Sequence, residues 1–511
     1  MLKVSKGKPV IRSIKWLHKW AGLTAFLWLS FMGISGFITN HPEWRWPWHI
    51  TVSKAFGDNS FLESRAEGYL IQQMQINPKN TNEIIGGSPI GFWRTADKGN
   101  TWTKVDFETI DDQPIIWTVL PSHHDKWEVL WLGTDDGIWM VNGGSGSAIP
   151  IGLQGHQVTS LDLGIEENEL VGVLSKSKIF RFDTDNPATV DWLEISNLNI
   201  STLPEKLLAM RFIADLHLGF GMSDNFMSKF VNDFGGLAIF FLAFTGFYYW
   251  LLQKLWRLYP ERRKKIGNKG MRFRVKWTYN FHAPIFGVIA SLAILPTAVS
   301  ALFLNHMIGS ITLLDDVQLS RKALPDIYSV KKLDGLIEYL VTDPIDPKHI
   351  MLMIRLGIIE TFDEGQTWIY SEEQPIKANQ EMIRPSLIHR EDITVIGSPN
   401  RVNHHRIDGS TKWNAIEKYK QKPWSIAPVK DGWIIKSFLG FYHRDYDGNE
   451  KKMDIKNPKV GGLPLFRFLS DVHQGDLMGE HWWKWINDYM AIATILLCFS
   501  GVISWWTRKW F

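Results

Sequence analysis

Along the 511 residues, long apolar runs alternate with long stretches of short, broken ones. Runs at 17–38, 234–252, 283–304 and 490–506 approach the ~20 apolar residues needed to cross a bilayer as a helix. The last is short and leans on its flanking tryptophans. Between the first and second runs, and again between the third and fourth, short Val/Ile/Trp/Phe segments are punctuated by Gly, Asn and Asp, the signature of strands and turns. The pattern predicts an α-helical membrane protein with β domains, a four-helix transmembrane bundle plus an all-β region. Its expected parts are a tail and first span (1–49), a first β domain (50–205), a second span with its lead-in (206–256) and a basic loop (257–276). A third span (277–309), a second β domain (310–460) and a fourth span with its lead-in (461–511) follow.

The pattern is also duplicated. R-F-I-A-D-L-H-L-G at 211–219 and R-F-L-S-D-V-H-Q-G at 467–475 share the frame R-F-x-x-D-x-H-x-G. Each continues into Asn-Asp (Asn232 and Asp233; Asn487 and Asp488) and then an apolar run holding Thr245-Gly246 or Ser500-Gly501. His18 in K-W-L-H-K-W-A-G matches His282 in Y-N-F-H-A-P-I-F-G, and Ser35, Asn40 and His41 match Ser300, Asn305 and His306. Each half therefore reads span, outer segment, span, a parallel repeat about an axis along the membrane normal.

Charge orients the spans. Six Lys/Arg and no acid precede residue 20, ten Lys/Arg face one acid across 254–276, and Arg508 and Lys509 lie near the C-terminus. By the positive-inside rule these stretches are cytoplasmic and both β segments lie outside. The basic runs are read as topology signals against membrane lipid, and a net charge of +3 gives no case for nucleic acid. The first span is too long for a cleavable signal peptide and lacks a small-residue cleavage site. The 26 tryptophans suit interfacial anchoring. The single cysteine, Cys498, excludes disulfides, Cys-ligated clusters and c-type haem attachment.

Within the β segments, T-A-D-K-G-N-T-W at 95–102 and T-F-D-E-G-Q-T-W at 361–368 resemble the Asp-box hairpin of sialidases and related β-propellers. In that turn Asp97 and Asp363 cap the loop, Gly99 and Gly365 take positive φ, and Trp102 and Trp368 pack beneath. V-L-W-L-G-T-D-D-G-I-W-M-V at 129–141 resembles another propeller hairpin. Three or four such units per half leave two architectures open, one joint propeller or two small β domains. No carboxylate–tyrosine–arginine set supports a glycosidase.

Six of the sixteen histidines recur as matched pairs at span ends: His18 with His282, His217 with His473, and His41 with His306. Ionisable residues beside membrane spans point to function by default. His18 and His41 are separated by ~35 Å of helix at about 1.5 Å per residue, so one lies at each surface. Imidazole is an axial ligand of haem iron, and facing helices of a bundle build such sites. Haem b held at each side would make a transmembrane electron relay. The competing reading makes these histidines headgroup anchors or helix caps, and His41 and His306 are the most exposed to it. The inner pair, His18 with His282, must take one ligand from each half. Outside, His217 with His473 is the expected pairing, with His41 and His306 as lesser candidates. The Gly two residues after His217 and His473 would admit a flat macrocycle, and the Asp two before would support the ring. The doublet His123-His124 reads as a polar loop, an outer iron site being the alternative, and His404-His405 lacks any repeated context.

L-H-K-W-A-G-L before an apolar run with S-G, and D-V-H-Q-G before a run with S-G-V-I-S-W-W, resemble the PepSY-associated transmembrane helix family. Its members include bacterial inner-membrane ferric and ferric-siderophore reductases. The resemblance covers the four spans and the D-x-H-x-G lead-ins. It implies two or more haem b groups, ligated through His18, His282, His217 and His473, passing electrons outward to reduce Fe(III) or a ferric siderophore in the periplasm. The implied product is Fe(II) for a ferrous iron transporter. Ala283-Pro284 departs from the family's basic-aromatic pattern, and the outer segments are unlike PepSY modules. No flavin- or nicotinamide-binding sequence occurs, and G-G-S-G-S at 143–147 opens no helix. The donor is therefore quinol or a separate cytoplasmic reductase. The rival functions are a non-redox periplasmic ligand-binding or sensing protein and a membrane assembly factor.

Overall fold

The computed structural model describes residues 8–52, 60–108, 113–193, 203–258, 268–306, 316–371, 386–416 and 423–510, apart from short gaps within them. The chain divides into two compact units, and each draws on both halves of the sequence. One unit is helical (1–42, 212–317 and 466–511), the other β-rich (43–211 and 318–465).

Three helices are long and apolar enough to cross a membrane: α1 (Lys8–Thr39), α3 (Asn225–Leu258) and α7 (His481–Trp510). Between α1 and α3 lies the short α2 (Ala209–His217), and α6 (Leu465–Gln474) leads into α7 in the same way. The third span departs from the expected single helix. After α4 (Asn268–Asn280) the chain widens into a π-helix over Phe281–Ile289, and α5 (Ser291–Asn305) leaves it at a bend of 59°. Pro284 lies inside the π-helix and Pro296 inside α5. Proline has no N–H to donate and its ring crowds the preceding turn, so the ladder here widens and kinks.

In the helical unit, α1 packs against α3 and α7, and α5 packs against both α3 and α7. Gly33 and Gly236 allow the first contact: a Cβ at Gly33 would stand 2.5 Å from the Gly236 carbonyl oxygen. Small residues at such a crossing let the two backbones touch. The interior is apolar, with Ala25, Leu29, Met490 and Ala493 in one cluster and Ala238, Ala290 and Ile294 in another.

The β-rich unit contains six four-stranded antiparallel meanders. They open on the strands Gln73–Ile76, Ile116–His123, Val158–Leu163, Ile337–Thr342, Ser386–Arg390 and Pro423–Val429. The first two sheets join through a parallel pairing of Asp106 with Ser147 and Phe107 with Ala148. Each opening strand neighbours the next, and the sixth returns to the first, so the cycle closes. Strands between two stacked sheets are buried on both faces, which is why Ile350–Ile354 reads as the unbroken apolar run I-M-L-M-I. Two seams join the sequence halves. At one, Leu340 N donates to Ser160 Oγ at 3.1 Å and Thr342 N to Asp162 Oδ2 at 2.9 Å. At the other, Met74 N donates to Ser425 Oγ at 3.0 Å. Closure leaves no opening strand as a bare edge.

The two T-x-D-x-G-x-T-W turns share one hydrogen-bond pattern. Thr95 Oγ1 donates to Asp97 Oδ1 at 2.7 Å, Gly99 N to Thr95 Oγ1 at 3.0 Å, and Thr101 N to Asp97 Oδ1 at 2.8 Å. Thr361, Asp363, Gly365 and Thr367 repeat these bonds at 2.7, 2.9 and 2.8 Å. The Thr101 hydroxyl and amide, with Thr95, hold the Asp97 carboxyl down at about 2, and Thr367 and Thr361 do the same for Asp363. Gly99 and Gly365 have φ of 78° and 92°, the left-handed region where a Cβ is strained. The tryptophans differ from each other, and only Trp102 departs from the expected packing. Trp368 is 0% exposed and donates to the Gly365 carbonyl at 3.0 Å. Trp102 is half-buried at the edge of the Ile71–Met74–Phe441 cluster and reaches the Lys456 carbonyl at 2.8 Å. Trp368→Ala should therefore cost about 3–5 kcal/mol, the range for a buried large aromatic, and Trp102→Ala clearly less. Denaturant midpoints of the two variants decide this, and equal losses would show that burial does not set the cost.

Candidate functional site

Four histidines meet in two pairs within the helical unit. His18 on α1 and His282 on the π-helix have ring centroids 6.3 Å apart, and His217 and His473, at the ends of α2 and α6, are also 6.3 Å apart. A direct N–H···N bond of about 2.9 Å would bring two imidazole centroids to about 5.2 Å. A metal in line between one nitrogen of each ring, at about 2.0–2.1 Å from each, would place them about 6.4 Å apart. Both pairs have the longer spacing.

Each ring is anchored by a hydroxyl from the other half of the sequence. His18 Nδ1 lies 2.9 Å from Ser500 Oγ, His282 Nδ1 2.9 Å from Thr245 Oγ1, and His473 Nδ1 2.9 Å from Ser35 Oγ. His217 Nδ1 is 3.3 Å from Ser300 Oγ and 3.2 Å from the Thr297 carbonyl. The direction of these bonds follows from where the hydroxyl protons go. Ser500 donates to the Leu496 carbonyl at 2.5 Å, Thr245 to Phe241 at 2.6 Å, Ser300 to Thr297 at 2.9 Å and Ser35 to Met32 at 3.2 Å. A hydroxyl has one proton, so the oxygen left facing the ring accepts. The Thr297 carbonyl can only accept. An Nδ1 proton on each ring satisfies these contacts and leaves Nε2 its lone pair, the tautomer a metal ligand uses.

The remaining repeated residues support this frame from below. Asn232 donates to the His217 carbonyl at 3.1 Å and Asn487 to the His473 carbonyl at 3.0 Å. Gly219 and Gly475, both at φ 74°, end α2 and α6 in the left-handed conformation, and a Cβ on either would meet the same asparagines at 3.1 Å. These glycines close helices; Gly36, Gly246 and Gly501 stand directly beside the rings of His473, His282 and His18. Asp471 pairs with Arg467 at 2.9 Å, one helical turn away.

His41 and His306 have a different task. His41 Nε2 lies 3.1 Å from Asp233 Oδ2, and His306 Nε2 2.7 Å from Asp488 Oδ2. Asn40 and Asn305 donate to the other oxygen of the same carboxylates, both at 2.6 Å. Their Nε2 atoms are thus committed to carboxylates, which ties the outer end of one helix to the next within each half. This accounts for the duplicated Asn-His and Asn-Asp pairs. The side chains of His123, His124, His404 and His405 lie outside the described residues.

The donor set decides what the pairs can hold. Among the described residues no group of three or more His, Cys, Asp or Glu is placed to bind a bare metal ion. A metal here needs its other ligands from a carrier, and two axial imidazoles fit a haem iron. The sequence located the histidines and the Ser/Thr-Gly steps but not their pairing, since each hydroxyl serves a ring of the opposite half.

No curated protein matches the chain. Solved structures that resemble it include a protein of unknown function from Bacteroides thetaiotaomicron at 9% identity, covering 72% of this chain and 67% of that one, with a TM-score of 0.35. An ancestral GH74 enzyme matches at 10% identity, 77% and 39% coverage and a TM-score of 0.32. PorZ of the Porphyromonas gingivalis type-IX secretion system matches at 8% identity, 77% and 33% coverage and a TM-score of 0.37. The chain thus spans well under half the length of the last two, and likenesses this low carry neither fold nor activity. A family comparison adds to this: residues 351–511, which include His473, match the PepSY-associated TM region, and that match supports membership of the PepSY-associated TM family.

Proposed function

We propose that the helical unit holds two haem b groups, one between His18 and His282 and one between His217 and His473, and conducts electrons outward across the bacterial inner membrane. The observation that carries this reading is the double pair at 6.3 Å with every Nδ1 within hydrogen-bond reach of a hydroxyl from the other half. When bound, the groups supply one-electron carriers on either side of the bilayer. The chain's part is to present the lone pair of Nε2, lock each ring against rotation, and keep the space between the sites dry. The apolar clusters around Ala25, Leu29, Ala238 and Ala493 supply that dryness.

Electrons enter from quinol or a separate cytoplasmic reductase at the inner pair and leave from the outer pair to Fe(III), as the free ion or a ferric siderophore. The product Fe(II) binds hard-oxygen chelators weakly and passes to a ferrous iron transporter. The basic stretches before residue 20 and across 254–276 support cytoplasmic termini and a periplasmic β-rich unit. The closed cycle of six four-stranded sheets supports a single six-bladed propeller, three blades from each half of a duplicated chain, with Asp-box turns in its first and fourth blades.

The absorption spectrum of the purified full-length protein tests this. A Soret band, and on reduction a sharp α-band of bis-histidine haem that bleaches on adding a ferric chelate, are expected. Colourless protein from cells supplied with haem would sink the proposal and leave a ligand-binding role.

A further inference from the structure

We propose that the residue following each anchoring hydroxyl sets how firmly the histidine is held, and that Ala301 thereby makes the outer pair the higher-potential site. The inference rests on the two-haem reading and adds a direction to it. In three of the four anchors the hydroxyl is followed by glycine: Ser35-Gly36, Thr245-Gly246 and Ser500-Gly501. A Cβ at Gly36, Gly246 or Gly501 would stand 3.1, 3.1 or 3.2 Å from the Cε1 of His473, His282 or His18. Those separations are tighter than ordinary van der Waals contact, so the bare backbone lets each ring settle 2.9 Å from its hydroxyl. The fourth anchor is Ser300-Ala301, which carries the Cβ. There Nδ1 stands 3.3 Å from the hydroxyl and divides its proton between that oxygen and the Thr297 carbonyl at 3.2 Å.

The consequence is electronic. A firm Nδ1–H···O bond gives the ring imidazolate character and makes it a more basic ligand. A more basic ligand favours the oxidised metal and lowers the potential. Both inner rings stand 2.9 Å from their hydroxyls, whereas in the outer pair His473 stands at 2.9 Å and His217 at 3.3 Å. With haem held at both pairs, an electron at the inner one would run downhill to the outer one, and a ferric chelate outside would take it, one electron reducing Fe(III) to Fe(II) with no proton and no leaving group involved.

A spectroelectrochemical titration of the full-length protein tests this without reference to turnover. Wild type should titrate as two components, the higher being outer by its survival in His282→Ala. Ala301→Gly should lower the higher component toward the other and leave the lower one in place. Gly246→Ala should raise the lower component alone, an arm that stands even if Ala301→Gly folds poorly. Coincident components in wild type, or an Ala301→Gly protein with full pigment and both components unmoved, would overturn the proposal while leaving two haems in place. A wild-type protein without pigment would instead overturn the two-haem reading itself.

Discussion

His282→Ala is expected to lose half of the bound pigment and all transmembrane electron flow, while the outer site survives and is still oxidised by a ferric chelate added outside. The expectation follows from the pairing. His18 and His282 face each other at 6.3 Å and each is held by its own hydroxyl, Ser500 and Thr245. Removing one imidazole leaves the inner site a single ligand, and the Thr245 hydroxyl loses its partner. The outer pair draws on other residues, His217 with Ser300 and His473 with Ser35, so nothing in it depends directly on position 282. From His18 to Gly36, where α1 meets the outer pair, is ~27 Å at about 1.5 Å per residue. Electron transfer in one step across that gap is too slow to support turnover. Proteoliposomes with a donor inside and an impermeant ferric chelate outside give the rate, and the spectrum gives the pigment. Loss of all pigment from a folded variant would deny separate sites, and wild-type rate and pigment would make His18 and His282 mere interface anchors.

Much of this site was legible in the chain because the duplication marks it. His18, His282, His217 and His473 stand out as repeated ionisable residues at span ends, and Thr245-Gly246 and Ser500-Gly501 as repeated polar-small steps in apolar runs. Their partnerships were not legible. His18 takes its acceptor from 482 residues away and His473 from 438, and no local pattern encodes a contact of that range. Asp471 illustrates the converse error: two residues before a histidine it suggests support for the ring, but helical spacing delivers it to Arg467. Closure of the β-rich unit was equally hidden. Hairpin signals specify each sheet, whereas the seam between the first and sixth depends on Met74 meeting Ser425, 351 residues on. The paired turns at 95–102 and 361–368 fold alike from the same sequence, yet Trp368 is buried and Trp102 only half so, because what covers a tryptophan is supplied by neighbouring strands.

The other seam yields the second large effect, in the β-rich unit: Glu338→Gln should cost about 3–5 kcal/mol near neutral pH, the range for breaking a buried ion pair from one side. Glu338 opens the fourth sheet and faces the third. Its carboxylate receives Lys176 Nζ at 2.5 Å and lies 3.2 Å from Arg355 Nε, with Glu338 and Arg355 side chains only 12% and 7% exposed. Burial by itself would raise the carboxyl; Lys176, Arg355 and Arg211 together overcome it and hold the group at about 2, below its ordinary 4.5. That displacement corresponds to about 3 kcal/mol, in line with the cost expected from the geometry. The sign follows from linkage. Below 4.5 the unfolded chain takes up a proton that the folded chain still refuses, so the stabilisation is complete above 4.5 and drains away as pH falls toward 2. Glutamine keeps the shape but not the charge, and leaves Arg355 and Lys176 uncompensated. Thermal unfolding of the full chain in detergent, followed by circular dichroism of the β-sheet signal, should show the variant well below wild type at pH 7. The two should converge as the pH approaches 2. A gap of the same size at both pH values would mean that the loss comes from packing, and that the charge of Glu338 does not hold the third and fourth sheets together.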